Sequence, residues 1–175
     1  MFVFGHAGLS LMFYHLLGRG GTNHSPLARP SQVGAVIFFA LLPDLLDKPV
    51  TLWLLQDATS TRWLGHSLVF SVSVCAAVHF LWPSLRRWVW ACPGHLLLDA
   101  MWRSPHTLMF PLLGWEMDPG TDPNISFWDL ITGNLSRLLT EPQNSIPEIA
   151  GLVFLTAVLA RLGLWYLAQP RSSHR

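Results

Sequence analysis

Six of this chain's residues of types that bind divalent cations occur where an apolar helix should carry none. His6, Asp44, Asp47, His66, His95 and Asp99 all fall inside or at the ends of hydrophobic segments. Ionisable side chains are expensive to remove from water, so those that persist in such segments pair, bind ions or do chemistry. His95 and Asp99 are four residues apart and Asp44 and Asp47 three apart, which puts each pair on one helix face. Imidazoles combined with carboxylates suit zinc, manganese or iron better than a purely oxygen-seeking ion such as calcium. An ion held this way lowers the pKa of bound water to about 7 and polarises a carbonyl or phosphoryl oxygen. The expected metal ligands are His6, Asp44, His66, His95 and Asp99, with zinc the expected ion and manganese or iron the alternatives. Asp44 is either a ligand or the residue that orients a ligand histidine, and Asp44 or Asp47 is the expected proton acceptor. Arg62 lies four residues before His66, one turn away if a helix begins there, and is expected to hold a phosphate or carboxylate in a forked pair.

Taken singly, each of these signals is weak. HxxxD is a common pattern, a histidine on an apolar face is more often a packing residue, and Pro43-Asp44 can be a turn. Their depth is what joins them. His6 opens the first apolar segment, Asp44 and Asp47 fall late in the second, His66 opens the third, and His95 and Asp99 fall late in the fourth. If four helices alternate in direction, all six residues lie at one level.

The elements that carry them are those of a membrane protein. Of 175 residues, 51% are hydrophobic and 12% are Asp, Glu, Lys or Arg, where a soluble domain carries about 25% of the latter. That composition disfavours a soluble enzyme and a disordered chain, and a net charge of +1 with no basic stripe disfavours nucleic acid as a partner. Cys75 and Cys92 sit in apolar segments and form no CxxC. The N-terminus lacks a positive n-region and a cleavage site, so the first segment reads as a permanent helix.

The expected fold is an all-α polytopic membrane helix bundle of about five spans. Its segments are 2–17, 31–56, 62–82, 86–102 and 149–168, with a short re-entrant or interfacial stretch at 107–115. The whole chain is one integral membrane domain: residues 1–115 form the metal-site core, 116–147 a polar loop with a short amphipathic helix near 127–139, and 148–168 the last span. Ser31 is a candidate cap for the second segment. That segment's Pro43-Asp44-Leu45-Leu46-Asp47-Lys48-Pro49 run argues for a kinked or broken helix lining a cavity. Placing the N-terminus outside puts six arginines (Arg19, Arg29, Arg86, Arg87, Arg171 and Arg175) in the cytoplasm and about three basic residues outside. The polar level then faces the extracytoplasmic side.

Two other classes fit the same residues less well. His15 and His79 fall deeper and could face each other as a haem pair. A metal or proton transporter would use the His/Asp cluster as a transit site, but the opposite level offers only His15, His79 and Arg161, and no repeat is present.

The order Gly5-His6, then Leu42-Pro43-Asp44-Leu45-Leu46-Asp47-Lys48-Pro49, then Arg62-x3-His66-Ser67, then Gly94-His95-Leu96-Leu97-Leu98-Asp99 resembles a family of prokaryotic inner-membrane proteins. These are described as metal-dependent hydrolases, some of them labelled LexA-binding. The resemblance covers residues 1–115. Many relatives read PDxDH where this chain has PDLLDKP. More distantly, the early His, the PD step and the HxxxD helix are similar to zinc-dependent phospholipases C. The resemblance implies a membrane-embedded hydrolase of the inner membrane, with membrane lipids as neighbours and an ester or phosphoester, such as a lipid, as substrate.

Overall fold

The computed structural model describes residues 3–18, 29–54, 60–119 and 127–168, which are helices and turns with no strand among them. The connection carrying Arg19, residues 120–126 of the expected polar loop and the arginines at 171 and 175 lie outside the described residues.

Helix α1 spans Val3–Gly18. Helix α2 spans Pro30–Pro49 and opens with Pro at its first position, where the missing N–H has no partner to lose. Gln32, rather than Ser31, completes that terminus: its side-chain oxygen accepts from Arg29 N at 3.1 Å. α2 continues unbroken through Pro43 and passes into a π-helical turn, Val50–Leu54, only after Pro49. The expected break therefore sits nearly two turns later than the Pro43-Asp44 step.

A 3-10 turn, Leu64–His66, precedes α3, Leu68–Leu81. Ser67 caps α3, its Oγ accepting from Phe70 N at 3.1 Å and donating to Leu64 O at 2.7 Å. His66 and Arg62 thus lie before the helix, not on its first turns.

The fourth apolar segment is not one membrane-length helix. Residues 83–90 form successive turns, and α4 covers only Ala91–Leu98, about 12 Å of helix. Pro93 stands in the first turn of α4, where proline is tolerated, and marks its start. The far end is set by Ala100, which holds a left-handed φ of 52° that costs a residue with a β-carbon about 1–2 kcal/mol. A 3-10 turn (Met101–Arg103) and the short α5 (Pro105–Leu108) follow. The stretch after them is pinned by Thr107 N to Asp118 Oδ2 and Asp118 N to Thr107 Oγ1, each 3.0 Å.

Helix α6, Phe127–Thr140, packs on α7, Pro142–Leu167. α7 makes its main contact with α1. There Gly8 and Gly151 meet backbone to backbone, and a β-carbon on either would collide with the other helix. Small residues at a helix crossing are how membrane helices approach closely.

Among the described residues, two helices are long and apolar enough to cross a membrane, Pro30–Pro49 and Ser145–Leu167; Val3–Leu17 and Leu68–Leu81 are apolar but shorter. Little of the α7 span is buried: Ile149, Val153, Leu159 and Leu164 are all exposed. Such a face is stable against lipid and unfavourable in water. The core, built from Leu11, Val36, Phe39, Val89 and Cys92 among others, lies where α1, α2, α3 and α4 meet, and the polar cluster caps it.

Candidate metal centre

Four segments deliver the polar residues to one place. α1 brings His6, the second half of α2 brings Asp44 and Asp47, the 3-10 turn brings His66, and α4 with its cap brings His95 and Asp99. His6, His66 and His95 are fully buried, and the Asp99 and Asp44 side chains are only 5% and 11% exposed. The His6 and His95 rings stack with centroids 3.9 Å apart, and His66 meets His95 edge-on at 5.0 Å.

The histidines are oriented by their outer nitrogens. His66 Nδ1 lies 2.7 Å from Asp47 Oδ2, and His95 Nδ1 lies 2.7 Å from the main-chain oxygen of Ala40. A carboxylate and a carbonyl offer these nitrogens only acceptors, so each Nδ1 carries its ring's hydrogen and each Nε2 is left as a lone pair. The two Nε2 atoms face each other at 3.2 Å. Two neutral imidazoles repel in that arrangement, and a positive charge, a proton or a metal ion, is needed to make it favourable.

Pro43 contributes from within α2. It has no N–H to give Phe39 O and crowds that carbonyl, which loosens the turn in which Ala40 O is turned toward His95.

Around these nitrogens stand the carboxylates. Asp44 Oδ1 and Asp99 Oδ2 are each 3.6 Å from His66 Nε2, and Asp99 Oδ2 is 4.0 Å from His95 Nε2. His6 Nε2 is 3.0 Å from Asp99 Oδ1, yet neither ring nitrogen of His6 makes a hydrogen bond. Buried polar atoms are almost always satisfied, so an imidazole aimed into a cluster of donors without a hydrogen bond of its own is what a ligand waiting for an ion looks like.

Ligand atoms of His6, Asp44 and His95 lie within 4.8 Å of one another, as do those of His66, His95 and Asp99. The two groups share His95, whose Nδ1 is already engaged with Ala40, so its single remaining nitrogen joins them into one centre. These buried groups can hold a metal ion. The five residues expected from the sequence to be ligands are the five brought together.

The other expected site residues fall differently. Asp47 is saturated with donors: its carboxylate accepts from Trp63 N at 2.6 Å, Gly65 N at 2.7 Å and His66 N at 3.2 Å, besides His66 Nδ1. A carboxylate so enclosed is not placed to take a proton from substrate water. The orienting role that the sequence offered to Asp44 belongs to Asp47. Arg62 reaches the centre from the loop, its Nη2 3.3 Å from Asp99 Oδ2, and it remains 40% exposed.

Sequence reasoning missed three contributors. Lys48 pairs with Asp44, not with its neighbour Asp47, at 2.7 Å, a spacing of four that the sequence displays openly. Ala40 acts through its backbone, which no side-chain pattern reveals. Glu148 on α7 is buried and accepts from Gly5 N at 2.8 Å; a lone acid opening an apolar run whose other charge is the distant Arg161 was the available signal.

Gly65 explains how tightly the turn closes. A β-carbon there would sit 2.7 Å from Pro43 O and 2.8 Å from Asp47 Oδ1. Gly65→Ala is expected to destabilise the protein by about 1–3 kcal/mol and to weaken metal binding, because Asp47 must move and His66 moves with it. Thermal unfolding in detergent alongside a metal titration checks both.

His15 and His79 are placed against different elements. His15 tilts on Phe154 of α7, whereas His79 lines an apolar groove of about 380 Å³ between α3 and the turns before α4.

A family described as YdjM inner membrane protein matches residues 1–169 of the chain. That description gives a location and no reaction. No curated protein matches, and no solved structure does.

Proposed function

The chain belongs to the YdjM inner membrane protein family, and from that premise we propose that it is a membrane-embedded, metal-dependent hydrolase of esters or phosphoesters. The observation that carries the proposal is the pair of buried imidazoles whose lone pairs converge at 3.2 Å beside the carboxylates of Asp44 and Asp99 and the hydrogen-bond-free ring of His6. His6, His66, His95, Asp44 and Asp99 would hold the ion. Three nitrogens and two oxygens favour zinc, with manganese and iron next. When bound, such an ion supplies Lewis acidity that activates water and polarises the ester oxygen.

The remaining work falls to the chain's own groups. Asp44 keeps one oxygen toward the imidazoles, where it would hold the ion, and the other on Lys48, which fixes the orientation of the carboxylate. Arg62 and Lys48 are the partly exposed cations at the rim. They mark the open side of the centre and favour an anionic substrate, a phosphoester before a neutral ester. Asp47 and Ala40 hold the rings of His66 and His95 in the ligating tautomer.

The proposal includes membrane embedding of α1 and α3 beside the two longer helices, as part of a polytopic bundle, and a centre on the extracytoplasmic face, as the arginine distribution favours. Purified protein loaded with zinc or manganese is to be assayed on a chromogenic phosphodiester, a chromogenic carboxyl ester and phospholipid vesicles. Arg62→Ala is expected to lower kcat/KM for the phosphodiester at least about tenfold, the loss of one charge-assisted contact, and to change the neutral ester little. Equal losses on both, or hydrolysis that survives in His95→Ala, would refute the reading.

A further inference from the structure

The three histidines of the centre are not held alike. His66 and His95 are each fixed by a hydrogen bond from Nδ1, to Asp47 and to Ala40. His6 has no such bond at either nitrogen. Its ring stacks on His95 and stands 3.0 Å from Asp99, but these are themselves ligands, and the backbone that carries His6 must also be fixed, because a ligand misplaced by about 1 Å loses most of its value.

The residue before it supplies the candidate. Gly5 N donates to Glu148 Oε2 at 2.8 Å, in a buried contact between the first turn of α1 and the first part of α7. Backbone N–H groups in the first helical turn have no partner within their own helix and carry the positive end of its dipole, so a carboxylate there is well matched. Three residues beyond Glu148, Gly151 touches Phe4 O and Gly5 Cα, and on α1 Gly8 returns the contact. With no side chain at either crossing point, the backbones approach directly and the register between the helices has little room to slip. α7 supplies none of the five ligands.

We propose that Glu148 is a positioning residue for the metal centre: by gripping Gly5 N–H it fixes the start of α1 and so the ring of His6. This rests on the metal reading above, and cobalt(II) separates the two. Cobalt binding is followed by d–d absorption in detergent for wild type, His6→Ala, Glu148→Ala, Glu148→Asp and Glu148→Gln. Wild type is expected to bind cobalt. Glu148→Ala is expected to bind it at least tenfold more weakly, with a spectrum shifted toward that of His6→Ala. Glu148→Gln, which keeps an acceptor at the same reach, is expected to restore most of the wild-type spectrum. Glu148→Asp keeps the charge but withdraws it by one methylene, and is expected to fall with alanine.

Failure of wild type to bind cobalt overturns the metal reading. Binding by wild type with the same spectrum and affinity in Glu148→Ala overturns the positioning role. Should the alanine variant not fold, the aspartate and glutamine variants decide: identical wild-type spectra in both would overturn the proposal. A merely structural Glu148 would lower the yield of folded protein and leave the cobalt spectrum of the folded fraction unchanged.

Discussion

His95→Ala is expected to abolish metal binding while leaving the helices in place. His95 is the shared member of both ligand groups, stacks on His6 and meets His66 at 3.2 Å, so its loss removes a ligand and the contact that aligns two others. The fall in affinity should exceed the ~10–100-fold typical of losing an outer partner. Metal content by mass spectrometry reads this directly, and thermal unfolding gives an independent test. An ion at 100 times its dissociation constant stabilises the folded state by about 2.7 kcal/mol, so wild type should unfold at a higher temperature with zinc than without it. The variant should show no such difference. Removing a fully buried imidazole also leaves a cavity and strips Ala40 O of its partner, so the metal-free baseline should itself fall by about 2–4 kcal/mol. Stoichiometric metal in the variant would refute the centre as described.

The second large effect is at Asp47, and it is on folding. Asp47→Ala leaves the backbone N–H groups of Trp63 and Gly65 and the imidazole N–H of His66 without acceptors, while His66 N keeps Trp63 O at 3.1 Å. At about 1–3 kcal/mol for each buried unsatisfied donor, with partial relief by relaxation, the cost is about 3–5 kcal/mol. That is a large share of the ~5–15 kcal/mol by which proteins are stable. The variant should reach the membrane in low yield and unfold early. Asp47→Asn is the sharper probe. It preserves shape but turns an amide NH₂ toward donors, so it should cost less stability and still weaken metal binding ~10–100-fold through loss of orientation at His66. Folded Asp47→Asn with undiminished affinity would mean that Asp47 builds the turn and does nothing for the ion.

The level shared by His6, Asp44, His66, His95 and Asp99 was legible because ligand chemistry and helix length are both written in residue type. An ionisable group in an apolar run is conspicuous, and its distance from the ends of that run gives its depth. Helix continuity was less legible. Pro43 looked like a break and is not one, because a proline within a long helix costs one hydrogen bond that neighbouring packing can absorb. Pro93 is a helix beginning, but whether a proline begins or interrupts a helix depends here on whether residues 83–90 are helical, which local pattern does not reveal. The fourth segment therefore read as a span when only Ala91–Leu98 is helix. Roles of the backbone were invisible: Ala40 O and the N–H groups of Trp63 and Gly65 act through atoms that every residue owns. The orienting role expected of Asp44 went to Asp47 for the same reason, since what separates them is which carboxylate the Trp63–His66 backbone wraps around.

The contact between α1 and α7 also fixes an order of events in biogenesis. Gly5 and Glu148 are separated by 143 positions in the chain, and translation proceeds at about 5–20 residues per second. In the bundle proposed above, α1 enters the bilayer and for many seconds its glycine face has no α7 to meet, α2 being the neighbour available to it. α1 must wait in lipid with Gly8 unmatched and the Gly5 N–H lacking its buried acceptor, a state that insertion machinery or a temporary partner helix can shelter. The centre is consequently assembled last, when the helix that brings no ligand arrives, and nascent chains stalled before Glu148 should reach the membrane without acquiring a mature site.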